Sequence, residues 1–315
     1  MKKDTEDYLL SYIRKENNIV HISGILPKFE ESEVSSVIIP RNVGSSVVTG
    51  IEPYLLNSNS FAKCIKSIDF PDTIRYVGSY SFFKAGIKKL KLPAMVNEIG
   101  DSAFSCSDIE EVTFLGDHLK ILDSSVFCTC KHLKKINLPN ELRYISEYCF
   151  NGCINLENIV IPPKVIAIKQ RAFSYSGIKN IVFEGPVPLQ IHPSAFNSRG
   201  NRTAYVKKEY LSDYLNSERI NKFFKNILPL ESLQIELEYE GNKAIVLPKL
   251  DSNNENSYTG ELIIPESIFI DGRKRKIVGI DQFAFFDCKL KKLVIPKNLN
   301  IDNAIIDGGI EIIRK

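Results

Sequence analysis

Seven cysteines, four histidines and one polar acidic loop are the residues whose types could support metal, redox or nucleophilic chemistry. A zinc site needs paired Cys or His ligands at short spacing. The nearest approaches are Cys128 with Cys130 and Cys149 with Cys153. None is a CxxC pair, and His21, His118, His132 and His192 form no ligand spacing with them. Asp251 to Ser257 superficially resembles a calcium loop. It has Asn256 where the sharp turn needs glycine and Leu262 where the closing carboxylate belongs, so a polar surface loop is the better reading. No GxSxG, HExxH, GxGxxG or P-loop is present. The expectation is a protein with no metal, no cofactor and no catalytic residues, and therefore not an enzyme.

The bulk properties exclude other classes. The 315 residues are 43% hydrophobic and 25% charged, an ordinary globular balance that rules out wholesale disorder. A net charge of +3 provides no global field for nucleic acid or a membrane surface. Arg273-Lys274-Arg275-Lys276 is the densest basic run, but no aromatics interleave it, and it reads as a solvated turn and an edge strand kept from pairing by charge. No run of about 18 apolar residues could span a membrane. Acids near Met1, at Asp4, Glu6 and Asp7, occupy the place where a secretory signal would need its apolar centre.

What must position any functional residue is a repeat. Short apolar strands begin at Ile68, Leu90, Val112, Ile136, Ile159 and Ile181, giving periods of 22, 22, 24, 23 and 22 residues. A second column eight or nine residues before each strand holds Phe82, Phe104, Phe127, Phe150 and Phe173, with Phe285 before Leu293. Five residues before each Phe is an aliphatic (Val77, Ile99, Leu122, Ile145, Ile168, Ile280), and three after it is a small residue (Ala85, Ser107, Cys130, Cys153, Ser176, Cys288).

One solenoid coil accounts for every column. Alternate strand residues point inward, Phe fills the interior opposite the strand, the small residue permits a tight turn, and proline ends the strand. No single coil can bury its own apolar face, so stacking makes the core. Cysteine in the small-residue column is then a buried small hydrophobe, although disulfides between adjacent coils remain open.

The run Leu133 to Ile145, with Ile136-Asn137-Leu138-Pro139 and Leu142, followed by Cys149-Phe150-Asn151-Gly152-Cys153, resembles the BspA-type leucine-rich repeat, a subclass common in surface proteins of anaerobic gut and oral bacteria. The resemblance covers most of residues 35 to 228 and again 233 to 300. It implies a β-rich solenoid: a right-handed leucine-rich-repeat coil with a curved parallel sheet and short helical caps. It implies a binding role and carries over no catalytic residue.

The expected division is an N-terminal helix and cap (1–34), a first array of about seven coils (35–206), a cap helix and linker (207–230), and a second short module opened by a hairpin (231–315). For the ends, Thr5 to Glu16 reads as a short helix covering the first coil or as a frayed tail. Tyr210, Leu211, Tyr214 and Leu215, then Phe223-Phe224, lie at roughly helical spacing. Leu233 to Tyr239, a turn at Glu240 to Asn242, and Ala244 to Leu247 read as the hairpin. The alternative is one solenoid interrupted by a helical insertion.

The outward strand positions of successive coils form one continuous face, about 30 Å wide for seven strands. They define a candidate concave binding face of Lys66, Asp69, Lys88, Lys89, Lys91, Glu110, Glu111, Thr113, Lys134, Lys135, Asn137, Glu157, Val160, Lys179 and Val182. The glutamates sit between lysines of neighbouring coils, as a self-neutralising ladder or as a ridge that orients a partner. The outward valines are exposed or else covered by the cap or the second module. The expected function is non-catalytic recognition of a protein or glycan partner, with no nucleic acid and no membrane span. By resemblance it serves adhesion at the cell surface or in secreted form, although no signal peptide is legible in this chain. The alternative is an assembly module that self-associates through an open C-terminal end.

Overall fold

The computed structural model describes residues 8–27, 34–56, 59–197, 202–229, 234–237, 243–247, 258–264, 266–270, 273–282, 284–285, 288–302, 304, 306 and 309–315. The loop at Asp251 to Ser257 and the turn at Glu240 to Asn242 lie outside the described residues. Among the described residues the fold is that of a parallel β-solenoid with few short helices. It divides into two compact units, Met1–Ile227 and Leu228–Lys315.

Each coil of the first unit has a long strand, a turn, a two-residue strand and a Phe-centred return. Long strands Lys89–Leu92, Glu111–Phe114 and Lys135–Asn137 pair in parallel, as do Asn158–Ile161, Asn180–Phe183 and Thr203–Val206. Inward residues such as Leu90, Val112 and Ile136 are buried while Lys89 and Lys91 face solvent, the alternation a pleated strand imposes. The strands end at prolines whose carbonyls open the next turn: Pro71, Pro93, Pro139 and Pro162 accept from the N–H groups of Ile74 (3.2 Å), Val96 (3.1 Å), Leu142 (3.1 Å) and Val165 (3.2 Å). Proline thus removes a ladder donor and, by its fixed φ, favours the turn. The two-residue strands Ile121–Leu122, Tyr144–Ile145, Ala167–Ile168 and Gln190–Ile191 form a second parallel ladder.

Between the ladders runs a file of stacked rings. Phe82, Phe104, Phe127, Phe150, Phe173 and Phe196 lie with successive centroids 5.3, 5.7, 5.7, 5.3 and 5.1 Å apart and ring planes within 11° of parallel. All six are buried. Such pairs contribute about 0.5–1.5 kcal/mol each beyond the area they remove from water.

The backbone around the five rings from Phe82 to Phe173 is left-handed two residues before and two after each ring. Tyr80 and Lys84 (φ 56° and 59°), Ser102 and Cys106 (55° and 60°), Ser125 and Thr129 (59° and 59°) and Arg171 and Tyr175 (53° and 56°) bracket the rings of their coils. Only the pair around Phe150 uses glycine, at Gly152. A non-glycine residue in this region costs about 1–2 kcal/mol. The alternation turns every second amide along the solenoid axis, so that the N–H groups of Tyr80, Phe82 and Lys84 donate to the carbonyls of Asp101, Ala103 and Ser105 in the next coil, at 3.0, 2.8 and 2.9 Å.

The N-terminal helix is a correction. Tyr8–Arg14 is a strand, paired antiparallel with Ile19–Pro27, and Thr5 to Asp7 lie outside the described residues. Asn17 and Asn18, at φ 57° and 58°, make the connection. Two adjacent left-handed residues suit a tight hairpin, and asparagine tolerates them best after glycine. The buried Tyr8 anchors the strand: its hydroxyl donates to the Ile38 carbonyl (3.1 Å) and accepts the Ile38 N–H (2.7 Å).

At the other end of the first unit, the stretch expected as one cap helix is a 3₁₀ turn (Lys208–Tyr210) and two short helices, Leu211–Leu215 and Glu218–Asn221. Ser217 is extended between them (φ −85°, ψ 103°), which breaks the helix. Phe223 lies 5.1 Å from the last ring of the file, Phe196, and Tyr214 donates to the carbonyls of Gly185 and Pro186, both at 3.1 Å. Strand Asn226–Pro229 then extends the sheet beyond Thr203–Val206.

In the second unit Gln234–Leu237 pairs antiparallel with Lys243–Leu247, and Phe285 is buried among Val246, Leu262 and Leu293. The basic run is also a correction. Arg273–Ile280 is an inner strand, flanked by Lys243–Leu247 and by Ser267–Ile270. Among the described residues no helix is long and apolar enough to cross a membrane.

Two outcomes test this architecture. Phe127→Ala should cost about 3–5 kcal/mol in denaturant unfolding, because it removes a ring stacked on both sides and the coil cannot collapse around the gap; Phe83→Ala, at a half-buried position, should cost clearly less. Glu52 accepts from Lys15 Nζ and shares a hydrogen bond with His21 Nδ1, each at 2.8 Å, tying the N-terminal hairpin to the strand Ser46–Ile51. Burial alone would raise its carboxyl, but the hydrogen bonds and charges of Lys15 and His21 outweigh it and hold it below 4.5. The stabilisation is present above the unfolded value and is lost as pH falls through the folded one. Between about pH 5.5 and about pH 3.5 the wild-type Tm should fall by roughly 2 °C more than that of Glu52→Gln.

Candidate functional site

The strand face is built by register. Lys89, Glu111 and Lys135 align across three strands, and so do Lys91, Thr113 and Asn137. Asn158 aligns with Asn180 and Thr203, and Val160 with Val182 and Tyr205. Side chains two apart on a strand share a face, so these rows form one outer surface.

Opposite charges meet across it. Glu110 lies 3.5 Å from Lys88 and 3.3 Å from Lys134, and Lys89 lies 3.6 Å from Glu111. Lys179 pairs with Glu157 in the later coils. The hydrogen bond from Lys134, its charge and that of Lys88 hold the Glu110 carboxyl below its usual range despite some desolvation. All these groups are well exposed, so each pair contributes little to stability. Lys91 and Lys135 face no carboxylate within ion-pair distance among the described residues. Lys66 donates to the Lys63 carbonyl at 2.6 Å, and Asp69 is exposed at the end of its strand.

Four candidate residues are engaged wholly or partly in the fold itself. Asn137 accepts the Phe114 N–H and donates to the Phe114 carbonyl, both at 3.1 Å, so it closes the end of the neighbouring strand. Val182, outward on its strand and expected to be either exposed or covered, is buried at 6% exposure, as is its neighbour Tyr205, whose hydroxyl burial pushes up to about 12. Val160 is half-buried and Thr113 likewise. The open part of the face therefore runs from Lys66 to the coil of Glu157. The amide pair Asn158 and Asn180, joined at 2.8 Å, belongs to the same surface; periodicity places both outward, but only the structure shows them bonded.

The thiols carry no chemistry on this surface. Cys106, Cys128, Cys130, Cys149 and Cys153 form no disulfide, so the bridges left open between these coils are not formed. Cys130 and Cys153 donate to the carbonyls of Phe104 and Phe127, each at 3.1 Å, linking one coil to the preceding one. Burial pushes Cys130 up to about 12 and Cys149 and Cys153 well above the ordinary thiol value. Among the described residues no group of three or more His, Cys, Asp or Glu could hold a metal.

The family described as BspA type leucine-rich repeat region matches residues 27–125, 120–240 and 264–307 in six copies. No curated protein matches the chain in sequence. Among solved structures, the T. pallidum leucine-rich repeat protein is similar over 61% of this chain and 86% of its own, at 19% identity and a TM-score of 0.50. A leucine-rich cell surface protein from Faecalibacterium prausnitzii A2-165 matches 98% of this chain and 77% of its own, at 17% identity and a TM-score of 0.44.

Thiolate, not thiol, is the reactive form. In the folded protein at about pH 7.5, iodoacetamide should therefore spare Cys130, Cys149 and Cys153, react with half-buried cysteines such as Cys106 and Cys128, and reach all seven only after denaturation. Peptide mass mapping of the native and unfolded samples reads this directly.

Proposed function

Because the chain belongs to the BspA-type leucine-rich repeat family, we propose that it is a non-catalytic recognition protein, acting at the cell surface, that binds a protein partner across the outer face of its long strands. The observation that carries this reading is the balance of charge on the three central coils. Lys88, Lys89, Lys91, Lys134 and Lys135 share that stretch with only Glu110 and Glu111, which leaves Lys91 and Lys135 uncompensated. A fully self-neutralising ladder would leave neither. Ion pairs at this exposure add little to folding, so the excess is better explained by what it can attract: an acidic protein surface, steered and oriented by the ridge. Stiff, hydrogen-bonded strands hold these side chains, which lowers the ordering cost of binding. The surface location is supported by the family and by the Faecalibacterium prausnitzii neighbour's description as a cell surface protein.

The test is a binding screen against extracellular and surface proteins, repeated with Lys89→Glu plus Lys135→Glu. The double variant should lose at least about tenfold in affinity for the partner found, with Tm unchanged within about 1 °C. Undiminished binding by a correctly folded double variant would move recognition off this face.

A further inference from the structure

A second surface of the first unit combines flat aromatic rings with uncompensated cations. Tyr54 and Tyr80 occupy equivalent places in successive coils, two residues before Leu56 and Phe82, and both are left-handed at φ 56°. Their rings stack at 5.3 Å and 3°, with Tyr54 60% exposed. Tyr80 meets Phe83 edge-on at 5.8 Å, and the Lys84 ammonium lies 5.0 Å from the Phe83 centroid. Lys84 also lines an open groove of about 320 Å³, together with Lys63, Lys131, His132 and Asp108. Asp108 sits 3.7 Å from Lys63. Lys84 and Lys131 face no carboxylate within ion-pair distance among the described residues, whereas Lys88, Lys134, Lys164, Lys169 and Lys179 each face a glutamate.

The coil does not require these tyrosines. Ser102 and Ser125 hold the same backbone position in the next two coils with the same left-handed φ, 55° and 59°. An exposed pair of parallel rings is a flat apolar platform rimmed by hydroxyls. A pyranose ring is its complement, with one face of C–H groups and an edge of hydroxyls. A cationic groove, joined to the platform through Phe83 and Lys84, adds anion recognition. Asp101, whose carbonyl accepts the Tyr80 N–H at 3.0 Å, and Glu98 add their charges to burial in pushing the Asp123 carboxyl upward. Negative charge is unwelcome beside these carboxylates, which directs a ligand's anionic groups to the lysines.

We propose that this surface binds an anionic saccharide, with a sugar ring on the Tyr54–Tyr80 stack and its sulfate or carboxylate groups in the groove of Lys63, Lys84 and Lys131. An acidic peptide fits less well, because a flat ring pair has no pocket for its side chains. The site is separate from the strand face and does not depend on the reading given for it.

The test uses the full chain and calorimetric titration with three probes: a heparin hexasaccharide, its fully desulfated and N-acetylated form, and a hexagalacturonate. Binding of the sulfated probe or the uronate, with the desulfated form at least about tenfold weaker, is expected, and the preferred probe distinguishes sulfate from carboxylate. Lys84→Ala plus Lys131→Ala should weaken binding about tenfold and flatten its salt dependence. Tyr54→Ala should also weaken it about tenfold, through loss of apolar contact and with the salt dependence retained. Lys89→Glu plus Lys135→Glu should leave it unchanged, which separates this site from the strand face. No binding by either anionic probe, full affinity in Tyr54→Ala, or equally tight binding of a hexaglutamate peptide would each overturn the proposal, the last two by reducing the groove to a simple ion exchanger.

Discussion

The file of phenylalanines from Phe82 to Phe196 is the interaction on which the first unit depends. A parallel solenoid has two ladders of backbone hydrogen bonds, but those bonds only exchange water for peptide partners and contribute modestly in net terms. The rings supply what the ladders lack. Each fills the space between a long strand and a two-residue strand, and each is sandwiched by the rings of neighbouring coils. The coil period follows from that geometry, because the chain must return to the same place over the ring once per turn. Stability is then close to nearest-neighbour, as in other stacked repeats, and the ends of the file need covering. Phe223 and Phe224 at one end, and the Tyr8 hairpin near the other, supply apolar and hydrogen-bonded cover.

Burial of the ring also sets the backbone. Left-handed residues on both sides of the rings from Phe82 to Phe173 are individually unfavourable, yet they recur and glycine holds one of these positions only, at Gly152. The recurrence has a physical reason: alternating handedness aims successive amides at the next coil, so each strained residue comes with an inter-coil hydrogen bond. Side chains at these positions point away from the interior and are free to vary. That freedom permits paired tyrosines in two coils and serines in the next two. The small-residue column obeys the opposite constraint, since its members lie inside the turn, where Cys130 and Cys153 donate to carbonyls of the coil before.

The proposed recognition role rests on surfaces rather than on a pocket of converging acids and bases. The strand face is rigid, and most of its charges are paired across strands. Among the described cations that face no carboxylate within ion-pair distance, Lys91 and Lys135 lie on the strand face and Lys84 and Lys131 on the turn edge.

The columns of Phe, aliphatic and small residues, the strand positions and the outward rows were legible in the sequence, because each coil repeats one packing problem and so imposes one periodic solution. The charge pairs of Glu110 followed from the same periodicity. The N-terminal hairpin was signalled by Asn17-Asn18, but Tyr8 to Ile13 also suits a helical face, and only pairing with Ile19–Pro27 decides between the two. Tertiary structure alone decided that Val182 is buried, that Asn137 serves the backbone of the next strand, and that Tyr54 and Tyr80 stack. These outcomes depend on which side chains of adjacent coils meet. Sequence periodicity specifies how a coil closes on itself; what lies over its outer face is set by contacts that carry no period.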